Sequence, residues 1–131
     1  MKILVDTCVW SAVLRYKDPD AKTTERLKDY ITDGLVTIIG PIRQELLSGI
    51  SSIKLFNSLN EFLSPFEDIN LKTLHFVKAA EFSNTCRKQG IQGSTIDYLI
   101  CSVAHLEDLI IYTTDKDFEN YKRFLPIKIL K

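Results

Sequence analysis

Four acidic residues stand where carboxylates can do chemical work. Asp6 closes the apolar run Ile3-Leu4-Val5, Asp115 follows a second run from Leu109 to Thr113, Asp97 comes three residues after Ser94, and Glu45 lies in the first turns after Gly40-Pro41. Each alone has an ordinary structural reading. An Asp at a strand-to-helix junction caps orphan amides. Ser94-Thr95-Ile96-Asp97 has the form of a capping box, and a carboxylate in a first helical turn is favoured by the helix dipole. Glu45 is harder to place: it lies beside Ile42, Leu46 and Gly49, where a carboxylate needs a partner, and neither Arg43 nor Lys54 has the spacing to serve. The combination points further, because four carboxylates gathered at one edge of a sheet repel each other unless a cation binds or some protonate. A set of oxygen ligands without His or Cys suits Mg²⁺ or Mn²⁺. His75 and His105 fall inside helical patterns, away from these junctions, and read as structural. The capping and catalytic readings of Asp97 make opposite stability forecasts: loss of a cap destabilises the metal-free chain, whereas loss of one charge from a crowded anionic site does not.

The elements that must position these acids are legible as alternating patterns. Lys2 to Val5, Leu35 to Ile39 and Leu109 to Thr113 are short, nearly unbroken apolar runs of the kind buried on both faces of a parallel sheet, with Ile127 to Leu130 a fourth strand and Phe66 to Ile69 a weaker fifth. Between them, Ile53, Phe56, Asn60 and Leu63 trace a helix after Ser51-Ser52, stopped by Ser64-Pro65. A second helix is expected from Asn70 as cap through Gln89, ending at Gly90, and a third carries Ile96, Leu99, Ile100 and Val103 after Ser94. Strands alternating with helices imply crossovers and a parallel sheet covered on both faces, whose working edge lies beyond the carboxyl ends of the strands. The predicted fold class is therefore α/β.

The chain has 131 residues, 45% hydrophobic, with 17 basic against 17 acidic residues, which fits one globular domain over 1–131 and leaves no bulk positive field to hold a polyanion. The three cysteines, Cys8, Cys86 and Cys101, are too widely spaced for a zinc motif and odd in number. The opening apolar run is broken at Asp6, too early for a signal peptide or membrane span. These features predict a cytoplasmic protein with no membrane association and with thiols as core or bystander residues.

Asp6-Thr7, Glu45 within Pro-Ile-Arg-Gln-Glu-Leu-Leu, Asp97 within Ser-Thr-Ile-Asp-Tyr-Leu-Ile-Cys-Ser, and Thr-Thr-Asp-Lys-Asp-Phe from Thr113 together resemble the PIN-domain family, and more narrowly the VapC toxins of toxin–antitoxin pairs. The likeness runs along almost the whole chain. It implies a five-stranded parallel sheet between helices in a three-layer α/β/α arrangement, a homodimer, a small VapB-like antitoxin as partner, and a metal-dependent endoribonuclease acting on RNA. Asp6, Glu45, Asp97 and Asp115 match the family's acidic quartet, Thr7 the hydroxyl residue after the first Asp, and Asp117 a further, less regular acid. Relatives often carry a basic residue at the position of Thr114 and paired alanines at Cys101-Ser102; Lys116, Arg43 or Arg15 are the alternatives for phosphate contact.

On this reading Asp6 and Asp97 contact Mg²⁺ or Mn²⁺, with Glu45 and Asp115 orienting water or holding a second ion, and Asp117 available as a further ligand. A carboxylate-held divalent ion activates water and clamps phosphate oxygens. Two alternatives remain open: a Mg²⁺-dependent phosphatase or phosphoacceptor domain, although Cys8 stands where the Asp-x-Asp pattern needs its second acid, and a catalytically silent binding module. A homodimer is also expected from the Ile53 to Leu63 helix, whose apolar positions one small sheet does not fully cover.

Overall fold

The computed structural model describes residues 1–15 and 19–131. It opens with β1 (Ile3–Val5), three buried aliphatic residues, and Asp6 at once caps α1 (Thr7–Leu14). There follow α2 (Ala21–Thr32), β2 (Val36–Thr37), α3 (Gly40–Leu47), α4 (Ile53–Leu63), α5 (Thr73–Lys88), α6 (Thr95–Leu106), β3 (Ile110–Tyr112), α7 (Asp117–Lys122) and β4 (Lys128–Ile129). Strand order is β2-β1-β3-β4 and every pairing is parallel. This is the α/β fold the alternating pattern predicts.

The expected fifth strand does not form. Phe66 to Ile69 contributes only an isolated bridge between Asp68 and Ile38, so the sheet has four strands. The cause is a competing bonding partner: the Arg43 guanidinium, from α3, takes the Leu63 carbonyl at 2.9 Å, the Phe66 carbonyl and the Asp68 carboxylate at 3.0 Å. The Phe66 carbonyl is thus satisfied by a side chain, and the Ile69 amide alone makes a ladder bond, to the Ile38 carbonyl at 2.9 Å. The same arrangement removes Arg43 from the candidates for phosphate contact. The other apolar runs were also longer than the strands they became, with Ile38 and Ile39 buried beyond the end of β2.

Helix caps follow the sequence with one shift. Ser52 and Ser94 cap α4 and α6 through their hydroxyls, and Gly90, at φ 76°, ends α5 in the left-handed conformation that favours glycine. The start of α5 falls at Lys72 rather than Asn70, because the His75 ring turns back and its Nδ1 accepts the Lys72 amide at 3.0 Å. Its Nε2 then donates to Glu107 at 2.8 Å, and its carbonyl accepts the buried Ser102 hydroxyl at 2.5 Å, which ties α5 to α6. His75 is thus a structural histidine. Against this clasp α6 buries every residue from Tyr98 to Ala104, so small side chains at Cys101, Ser102 and Ala104 let it lie close to the sheet and α5. Among the described residues no helix is long and apolar enough to cross a membrane.

The topology fixes where chemistry can occur. From β1 the chain crosses to β2 on one side and later returns to β3 on the other, so the carboxyl ends of β1 and β3 flank the point where the winding reverses. Such a point opens a crevice beyond the strand ends. Val5 pairs with Tyr112, and the Asp6 amide donates to the Tyr112 carbonyl at 2.9 Å, extending the ladder one step and setting Asp6 beside Thr113.

Candidate metal centre

Asp6 is 7% exposed and accepts three hydrogen bonds. Its Oδ1 accepts the Thr7 amide at 2.8 Å, while Oδ2 accepts the Thr113 hydroxyl at 2.8 Å and the Cys8 thiol at 3.4 Å. The capping reading of Asp6 is therefore correct as geometry, and it leaves an acceptor position free, because a carboxylate has about four. Thr113 is the hinge between acids: its oxygen also accepts the Asp115 amide at 3.0 Å, and Asp115 in turn accepts the Asp117 amide at 2.9 Å. The Thr114 hydroxyl donates to Cys8 at 3.3 Å, which closes the network on the α1 side.

Ligand oxygens of Asp97, Asp115 and Asp117 all lie within 4.8 Å of one another. Asp97 is brought there by the first turn of α6, where Ser94 takes its amide at 3.1 Å, so the cap belongs to Ser94 and the Asp97 carboxylate is released toward the crevice. Burial raises the Asp97 carboxyl above its ordinary value of 3.8; the Tyr121 and Ser94 hydroxyls pull it back, and the charges of Asp6 and Asp115 push it up again. Tyr121 donates to Asp97 Oδ2 at 2.6 Å. Burial and the neighbouring carboxylate hold the Tyr121 phenol far above the usual tyrosine range, so it stays a donor.

The five predicted acids are thus not equivalent. Asp97, Asp115 and Asp117 form the tight group, and Asp6 is linked to it through Thr113. Glu45 stands at the margin, exposed, and among the described residues is reached only by the Thr7 hydroxyl at 3.4 Å. The buried partner its helical spacing called for is not needed, since its carboxylate faces solvent. Asp117 is more central than its position after the quartet implied, because the Asp115 side chain folds back onto its amide. Sequence reading missed Tyr121, Thr113 and Cys8 as members of the network. Thr113 and Cys8 carried a usable signal, since both flank the two strand ends; Tyr121 carried none, as its contact spans 24 residues.

Among the described residues none of the five acids forms an ion pair with Lys, Arg or His. An all-oxygen donor set, mutually repelling and without a built-in counter-charge, fits a hard divalent cation.

Residues 3–123 match the PIN domain family, and the chain belongs to it. Among curated proteins no sequence match is found. The fold is similar to a solved structure of FitAcB from Neisseria gonorrhoeae, at 20% identity and TM-score 0.80 over 98% of this chain and 96% of that one. It is also similar to VapBC2 from Rickettsia felis, solved with a DNA fragment from its promoter, at 23% identity and TM-score 0.76 over 100% and 98%. DNA-bound VapBC from Salmonella typhimurium gives 18% identity and TM-score 0.76 over 99% and 97%.

Proposed function

We propose that this PIN domain is a Mg²⁺- or Mn²⁺-dependent endoribonuclease of the VapC type, the toxin of a toxin–antitoxin pair. The observation that carries the reading is the group Asp97, Asp115 and Asp117 beside Asp6 at the switch point of the sheet, with no basic side chain paired to it among the described residues. Asp97, Asp115, Asp117 and Asp6 would hold the cation, and Glu45 at the open margin would orient water. When bound, such a cation supplies positive charge to phosphate oxygens and makes water a stronger acid near neutral pH. The chain's own part is to fix carboxylate positions: Thr113 spaces Asp6 from Asp115, and Asp115 holds the first turn of α7.

With a net charge of 0 the chain needs local cations to hold RNA. With Arg43 engaged inside the fold, exposed Lys116 stands between Asp115 and Asp117 in sequence, and Arg87 lines a polar hollow of about 280 Å³ with Ser83, Gln92 and Gly93. Gly93 abuts Tyr121, so this hollow adjoins the acidic group. Arg87 is without an ion-pair partner among the described residues and suits a phosphate.

The partner reading rests on a groove of about 560 Å³ between the end of α1 and α4, lined by Leu14, Leu55, Leu59 and Phe62. Leu55 and Phe62 are exposed there. A separate apolar strip on α5, Leu74, Phe76 and Val77, is also exposed. Two such surfaces would suit a small antitoxin and a second copy of the chain. One of the similar structures is a toxin–antitoxin complex, from Klebsiella pneumoniae, which favours the same kind of assembly here.

The deciding experiment is cleavage of a defined RNA by purified protein with Mn²⁺, with Mg²⁺ and with excess EDTA. Cleavage is expected only with a cation and is expected to vanish in Asp97→Asn. Cleavage that persists in EDTA would overturn the metal mechanism.

A further inference from the structure

Tyr121 has no place in the acidic pattern, yet its hydroxyl forms the shortest hydrogen bond any of the five carboxylates receives, 2.6 Å to Asp97 Oδ2. Its ring is 1% exposed and clamped by aromatic neighbours, with Phe118 edge-on at 5.1 Å and Tyr98 tilted at 5.2 Å between centroids. On the hydroxyl side lies Gly93. A Cβ there would stand 2.8 Å from Tyr121 Cζ, 2.9 Å from Cε1 and closer still to the hydroxyl oxygen. No side chain fits at that position while Tyr121 stays where it is. Glycine in this loop is required by close approach, since its φ lies outside the left-handed range.

We infer that Tyr121, held by the glycine-lined wall at Gly93, is a positioning residue that sets the Asp97 carboxylate for the divalent cation. This rests on the metal-centre reading given above. A neutral donor suits the task for an electrostatic reason. A Lys or Arg at the same place would fix Asp97 equally well but would add a positive charge to the group and compete with the cation. A phenol donates to one oxygen, leaves the other free of that bond, and keeps the whole negative charge for the metal. Donors behind metal-ligating carboxylates act in this way, and their removal typically costs about 10- to 100-fold in metal affinity.

The test is Mn²⁺ binding to the metal-free protein, read by calorimetry and by the electron-spin signal of free Mn²⁺, with no RNA present. Tyr121→Phe keeps the ring and its packing and removes only the donor. Binding is expected to weaken about 10-fold or more, while the melting curve in EDTA stays close to that of the parent. Gly93→Ala approaches the same bond from the other side by pushing the hydroxyl off Asp97. It should weaken Mn²⁺ binding similarly, and the double variant should lose little more than either single one, because both break one coupling. A purely structural tyrosine would instead lower the melting point and leave the affinity of the folded fraction unchanged. Unchanged affinity in Tyr121→Phe, with the parent binding normally, would overturn the proposal alone. Failure of the parent to bind Mn²⁺ would overturn the metal-centre reading and this proposal with it.

Discussion

The eight-residue helix α1 joins two regions with opposite demands. At its first turn, Asp6, Thr7 and Cys8 belong to the carboxyl edge of the sheet, where mutually repelling acids are held by a web of hydrogen bonds at 2.6 to 3.5 Å. At its last turn, Leu14 lines the apolar groove under α4 and, with Phe62, a second hollow of about 390 Å³ shared with Val13, Leu27 and Ile31. The two ends are about 12 Å apart at 1.5 Å per residue. At the acidic edge the unmet need is charge, which a small cation would meet at close range. At the groove it is exposed apolar area, which is met only by a large complementary surface, in proportion to the area covered. Neither ligand can serve the other region, so the two should be separable by mutation.

The largest effect that separates them is expected from Asp97→Asn. The variant loses a charge of the tight group, and the several kcal/mol that a metal supplies to a transition state correspond to roughly a thousandfold or more in cleavage rate. Single-turnover RNA cleavage checks this, and binding of the protein partner at the groove should be unaffected. The reverse case is Leu55→Asp, at a residue 55% exposed. The lone protein should melt as the parent does and cleave RNA at the parental rate, while affinity for the partner falls at least about 10-fold through a buried, unpaired charge. Titration with the co-purified partner measures it; equal loss from both variants would mean that the two regions are one site.

A smaller effect concerns pH. Because the folded-state carboxyl of Asp97 titrates above its ordinary value of 3.8, the protonated form is the one the fold favours. Its stabilising contribution is present at pH below that value and is lost as pH rises through the higher folded value. Without metal, the parent should therefore lose stability relative to Asp97→Asn between about pH 4 and neutrality, and Mg²⁺ should restore it in the parent alone. Urea unfolding at several pH values, with EDTA and with Mg²⁺, reads both signs. A gap that does not change with pH would mean that burial and the neighbouring carboxylates do not raise the Asp97 carboxyl. Smallest is Arg87→Ala. Removing one phosphate contact should lower the slope of log affinity against log salt by about 0.7, with RNA binding weakened to a similar degree for different sequences. Fluorescence anisotropy in EDTA checks it, and an unchanged slope would remove Arg87 from the RNA path.

Much of this architecture is legible in the amino-acid sequence. Apolar runs marked the strands, of which β1 and β3 are buried while β2 and β4 are only half-covered, Ser52, Ser94 and Gly90 marked helix ends, and Asp6, Asp97 and Asp115 stood at the junctions a parallel sheet brings to one edge. These are local properties: hydrophobic period, cap chemistry and backbone freedom act within a few residues. Whether Phe66 to Ile69 would pair as a strand, whether Arg43 was free, and whether Glu45 or Asp117 stood nearer the centre depended on partners far along the chain. The Tyr121 bond to Asp97 and the missing side chain at Gly93 that makes room for it exist only once α6, α7 and the loop between α5 and α6 have packed. The sequence by itself determined which residues could ligate a cation and at which edge of the sheet. Only tertiary packing decided which of them are close enough to share one, because that depends on sub-ångström placement of carboxylates by side chains that no local pattern specifies.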